Sequence, residues 1–151
     1  MYIYVITFIM LIVLSYTDCK TQRIPNTVTF PCMLIGLTMR GFPSLITILF
    51  VVMLFLFGAV NILPMGDVKM YMAVGFLLSG GAGFLVLLVS QCILIVYSII
   101  KKGSVYIWQD RVTSYPLAPF VFVSYVILII AKFMLWADET IQERILIWKK
   151  E

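Results

Sequence analysis

The stretch YIYVITFIMLIVLSYTDCKTQRIPN, residues 2–26, decides the architecture. A largely apolar run reaches Tyr16, meets an acid at Asp18, gathers Lys20 and Arg23, and halts at Ile24-Pro25-Asn26. Proline lacks a backbone donor and breaks a helix that has reached it. An apolar run in this place can be a cleavable secretory signal. This one has no Lys or Arg ahead of it and no small-residue cleavage pattern before Asp18, so it is expected to stay as a transmembrane helix.

The rest of the chain repeats the pattern. Of 151 residues, 63% are hydrophobic and 12% are charged, against about 25% charged in an ordinary soluble domain. Surface this apolar has to face lipid. Six apolar segments can be drawn, at 2–16, about 28–39, 45–63, 68–78, 82–100 and 117–136. The third, fifth and sixth approach the ~20 residues that cross a bilayer. The first, second and fourth are short and are expected to end part-way, beside a wet cavity. The expected fold is all-α: a polytopic membrane protein of about six transmembrane helices, some short. Residues 1–137 form the membrane domain. Residues 138–151 form an amphipathic or interfacial tail, with Ile141, Ile145 and Trp148 at helical spacing.

The net charge of +4 sits in short links between the apolar runs, which argues against nucleic acid and for loops facing the cytoplasm. The links after segments one, three and five hold Lys20, Arg23, Lys69, Lys101, Lys102 and Arg111. Those on the other side hold Arg40. The positive-inside rule therefore places both acidic motifs at the cytoplasmic face and the N-terminus outside. Lys132, Arg144, Lys149 and Lys150 would then lie outside too, which runs against the rule, and the tail is expected along an interface. Cys19, Cys32 and Cys92 lie far apart, and the chain has no His. Neither a zinc site nor a thiol nucleophile with its base is expected, and Cys32 and Cys92 read as packing residues.

The chemistry lies in two acids. Asp18 follows the first segment, and Asp67 stands in Pro64-Met65-Gly66-Asp67-Val68-Lys69, ahead of the fourth. Ionisable groups at membrane depth are candidates for function. From position alone the two read equally as catalytic acids or as charges at helix ends. If they meet, they form a dyad that shares one proton and can hydrolyse a peptide, one carboxylate activating water and one acid protonating the substrate. No metal or other cofactor is needed for that. Asp18 near a helix C-terminus and Asp67 near a helix N-terminus suggest that Asp18 holds the proton and Asp67 the charge. Gly66 offers close approach or a positive φ, Asn26 can cap the second segment, and Lys69, Lys20 and Arg23 serve as lipid anchors or as substrate contacts. Pro116 and Pro119 suit the first turn of the last helix, and Asp110-Arg111 reads as a solvated pair. Gly75, Gly80, Gly81 and Gly83 suit close helix packing.

Taken together these motifs resemble the type IV prepilin peptidase family. Asp18, Lys20, Arg23, Ile24, Pro25 and Asn26 match its first motif. Gly66, Asp67, Val68 and Lys69 match its second, with Pro64 where the family has a first Gly. Pro116 and Pro119 match a weaker third. The resemblance implies a membrane aspartic endopeptidase with Asp18 and Asp67 catalytic and Gly66, Lys69, Lys20, Arg23, Pro25 and Asn26 supporting. Its partners would be a prepilin or pseudopilin and the surrounding lipids. The cut would remove a short basic leader at the cytoplasmic side of the cell membrane. The chain looks like the small branch similar to Tad/Cpa and archaeal preflagellin peptidases, without the methyltransferase domain. Two other classes compete: a proton- or ion-coupled transporter subunit, and a non-catalytic assembly factor for a pilus or secretion machine.

Overall fold

The computed structural model describes residues 2–102 and 116–148, with side chains described up to Ile100 and from Pro116 to Trp136. Asp110, Arg111, the side chains of Lys101 and Lys102, and the apolar spacing of the tail lie outside the described residues. Six helices follow one another: α1 (Tyr2–Thr21), α2 (Asn26–Arg40), α3 (Leu45–Ala59), α4 (Met65–Leu78), α5 (Gly80–Lys102) and α6 (Ala118–Trp148). The all-helical membrane architecture expected from the sequence is present. The backbone of α6 runs without a break past residue 137.

Among the described residues three helices are long and apolar enough to cross a membrane: α1, α5 as far as Ile100, and α6 as far as Trp136. This corrects the expected lengths of the first and third segments. Thr17 and Thr21 close the count of apolar residues in segment one, yet they do not end the helix. Thr17 Oγ1 donates to the Val13 carbonyl at 3.0 Å, and Thr21 Oγ1 to the Thr17 carbonyl at 2.8 Å. Hydroxyls satisfied inside the helix let a polar turn continue it. Segment three fails for the opposite reason. Its apolar run continues through Ile62 and Leu63, but Asn61 takes φ 58°. The Ile62 amide donates to the Phe57 carbonyl at 2.8 Å and the Asn61 amide to that of Gly58 at 3.1 Å. That is a Schellman cap, and it stops α3 at 15 residues.

Helix α4 is the centre of the molecule. Helices α1, α2, α3 and α5 all pack on it, and α6 closes the far side against α1 and α5. Nine of the 14 residues of α4 are buried, the signature of a helix wrapped by others. The outward faces of the surrounding helices carry exposed Ile9, Leu34, Phe55, Leu88 and Ile130, the surface offered to lipid. Since lipid tails are as apolar as these side chains, helix association depends on close packing, which small residues permit. The ring of Phe50 is wedged where a Cβ on Gly75 or Gly83 would approach it to 2.7 or 2.9 Å. Gly36, not singled out by the sequence, puts α2 against the Phe76 backbone, 2.7 Å from a Cβ placed there. Gly81 has nothing within 4 Å, so its expected packing role does not hold. Gly80 and Gly81 are helical, and the break between α4 and α5 falls on Ser79 alone, at φ 136°.

All three cysteines are free, and Cys92 is exposed rather than packed in the interior. At the end of the bundle away from the acids, Tyr125 donates to the Tyr4 carbonyl at 2.7 Å and Lys132 to the Tyr4 hydroxyl at 2.8 Å. Inside, the Tyr71 hydroxyl meets Ser90 Oγ at 2.6 Å, and Ser90 also donates to the Leu87 carbonyl at 2.8 Å. The Tyr71 hydroxyl also accepts from Gln91 Nε2 at 3.4 Å, so Tyr71→Phe, which removes both bonds, is expected to lower stability by about 1–2 kcal/mol. Thermal unfolding in detergent checks this.

Candidate active site

Each acidic motif is shaped by a helix end. Gln22, at φ 50°, donates its amide to the Asp18 carbonyl at 2.9 Å, a left-handed cap that closes α1. Asp18 therefore lies inside the last turns of α1 and not beyond it, and its side chain is buried. The chain then turns through Ile24 to Pro25, which holds φ −71° and ψ 127° and occupies the cap position of α2. The expectation that Asn26 caps this helix is corrected: there is no side-chain cap bond, and Asn26 is the first helical residue. Proline's fixed φ already supplies the cap conformation. The Asn26 side chain instead accepts from Lys69 Nζ at 3.1 Å, which ties the first motif to the second.

The second motif opens α4. Pro64 sits at the cap of α4 with φ −57°, and the Val68 amide donates to its carbonyl at 3.1 Å. A proline fits that backbone without strain, so the departure from Gly leaves the turn intact. The helix starts at Met65, three residues earlier than expected, and Asp67 stands in its first turn. Of the two readings of Gly66, the positive φ does not hold. A Cβ there would lie 3.7 Å from the Ile24 side chain, an ordinary contact. Its place is as a bare stretch of cavity wall.

A third element completes the site. The Ala118 amide, at the first position of α6, donates to Asp18 Oδ2 at 3.0 Å. The acid thus caps the N-terminus of a helix 100 residues away. A hydrogen bond from N–H to a carboxylate contributes roughly 1.5–3 kcal/mol, against about 0.3–1 kcal/mol for a charge near a helix end. Among the described residues the Asp67 carboxyl receives no hydrogen bond. Ala118 was not legible in the sequence, because a backbone donor leaves no trace in residue type. The neighbouring prolines were the nearest signal.

These ends converge on one cavity of about 410 Å³. Asp18 and Asp67 both line it, together with Arg23, Asn26, Gly66 and Lys69. Of the other expected residues, Pro25 shapes the turn beneath the wall, and Lys20 is exposed on the last turn of α1, away from the lining. Gln22, Ile24, Pro64, Pro116 and Leu117 complete the wall. Two carboxyls that face one small space can share a proton, because close like charges resist joint ionisation. One ionised and one protonated group is the arrangement needed for acid–base hydrolysis. Among the described residues no group of three His, Cys, Asp or Glu comes together as a ligand set for a metal.

A sequence model of the type IV leader peptidase family matches residues 5–99, which takes in both acidic motifs, α2 to α4 and most of α1 and α5. The third motif lies beyond that match. No curated protein and no solved structure matches the chain. With a family match over more than half of its length, this chain belongs to the type IV leader peptidase family.

Proposed function

We propose that this membrane peptidase is an aspartic endopeptidase in which Asp18 and Asp67 are the catalytic pair. Its substrate is a prepilin or pilin-like protein, cut where a short basic leader meets the hydrophobic helix. The reaction assigned is hydrolysis alone, with no transfer of a methyl group to the new N-terminus. The observation that carries the reading is the convergence of two acids, 49 positions apart in the sequence, on one cavity wall. The cytoplasmic face is the proposed side of cleavage. Lys20, Arg23 and Lys69 gather at the acidic end, which supports that side by the positive-inside rule; Lys132, at the other end beside Tyr4, weighs the opposite way.

The test is co-expression in a bacterial membrane with candidate prepilins from the same genome, wild type beside Asp18→Asn and Asp67→Asn, read as a size shift of the pilin. A shift in wild type that both variants abolish supports the reading. Cleavage surviving in both variants sinks it. A transporter subunit or an assembly factor leaves the leader uncut in all three.

The Lys69–Asn26 tie gives a further expectation. It fastens the α2 end of the site to α4, with the ammonium at the cavity wall. Asn26→Ala and Lys69→Met should each slow cleavage several-fold, and the double variant should be slower by less than the product of the two. A coupling of about 0.5–1 kcal/mol is expected from such a partly exposed pair. A double variant slowed by the full product of the two single losses would mean that the tie has no part in positioning.

A further inference from the structure

The sequence suggests a proton on Asp18 and a charge on Asp67, from the helix ends nearest each in the chain. The fold brings in a different helix end. Asp18 is buried, and the nearest donor to its carboxyl is the Ala118 amide of α6, at 3.0 Å. That amide is one of the N–H groups which a helix leaves without an internal partner. A direct donor at bonding distance outweighs the diffuse field of α1, whose last turn is already closed by Gln22.

We propose that the N-terminus of α6 sets the division of labour in the pair, holding Asp18 as the carboxylate that activates water while Asp67 carries the shared proton. This rests on the aspartic peptidase reading and deepens it. The charged groups lining the cavity with Asp18 are Asp67, Arg23 and Lys69. Lys69 is engaged by Asn26, so the Ala118 amide is the one donor recorded on the Asp18 carboxyl among the described residues.

The steps balance. Water attacks the scissile carbonyl carbon and passes one proton to Asp18. Asp67 gives its proton to the carbonyl oxygen, forming a neutral tetrahedral diol. Asp18 then delivers its proton to the departing nitrogen as the C–N bond breaks. The diol returns a hydroxyl proton to Asp67, and both acids regain their starting states. In this scheme Ala118 is a positioning residue acting through Asp18.

Two measurements test the assignment. The first is ¹³C carboxyl NMR of aspartate-labelled protein in micelles at neutral pH, assigned with Asp18→Asn and Asp67→Asn. The expected result is a protonated Asp67 and an ionised Asp18, and the reverse overturns the proposal. The second is Ala118→Pro, which removes this one donor at a helix position where proline is tolerated. It should lower kcat about tenfold with KM little changed, and move the acid limb of the pH–rate profile to higher pH, since the base loses its donor. An unchanged kcat and profile in the folded variant overturn the proposal. If the variant does not fold, the carboxyl spectrum of the unaltered chain decides. Failure of the peptidase reading would look different, as leader cleavage indifferent to both aspartates.

Discussion

Asp18→Asn and Asp67→Asn are each expected to lower the rate of leader cleavage by about 10³-fold, and the double variant to fall no further. Positioned acid–base groups contribute roughly 10² to 10⁴ in rate, and groups that act as one unit lose their effect together. Asparagine is the informative replacement because it spares the fold. Its carbonyl oxygen can still accept the Ala118 amide that Asp18 holds at 3.0 Å, so α6 keeps its cap. Asp18→Ala instead leaves a buried N–H without a partner, at a cost of about 1–3 kcal/mol, and confuses lost chemistry with lost stability. Initial rates of leader removal, measured beside thermal unfolding of each variant, check the prediction. Single losses that multiply in the double variant would mean that the acids act separately and not as a dyad.

The same hydrogen bond marks what could be read from the sequence and what could not. The apolar runs, the breaks at Pro25 and Pro64 and the two acidic motifs are local features, and the six helices follow from them. The lengths of α1 and α3 were misjudged because hydropathy alone does not register backbone hydrogen bonding. Thr17 and Thr21 are polar yet helical, and Ile62 and Leu63 are apolar yet lie past a Schellman cap. Asn26 looked like a cap by residue type, but proline's fixed φ had already filled that position and the amide was left for Lys69. The helix to which each acid is attached favours charge on Asp67. Which helix end meets which acid is a tertiary fact, and α6 begins 100 positions after Asp18. Both aspartates were legible as candidates. The partner that distinguishes them was not.

The glycines carry the last and sharpest expectation, because two neighbours with the same appearance in the sequence stand in opposite surroundings. A Cβ on Gly80 would lie 2.5 Å from the Thr47 Cα and 2.6 Å from both the Ile46 carbonyl oxygen and the Thr47 amide. These are backbone atoms of α3 and cannot swing aside as a side chain can. The approach is also used: the Gly80 amide donates to Thr47 Oγ1 at 3.0 Å, and Ser44 Oγ lies 3.0 Å from the same hydroxyl. Gly80→Ala must push α5 off α3 and stretch that bond. Overpacking of this kind costs roughly 1–3 kcal/mol, to which the weakened buried hydrogen bond adds about 1 kcal/mol. Gly81→Ala meets nothing within 4 Å and gains up to about 1 kcal/mol in helix propensity. The two variants, identical in chemistry and adjacent in the chain, should therefore shift the unfolding temperature in opposite directions. Gly80 contacts α3 near its start, whereas the cavity of the two acids lies at the end of α1 and the beginnings of α2, α4 and α6. Folded Gly80→Ala protein should consequently cleave at close to the normal rate, separating a packing loss from a loss at the dyad. Equal unfolding temperatures for the two variants would mean that α3 and α5 do not approach so closely, and that Gly80 serves only as the start of a helix.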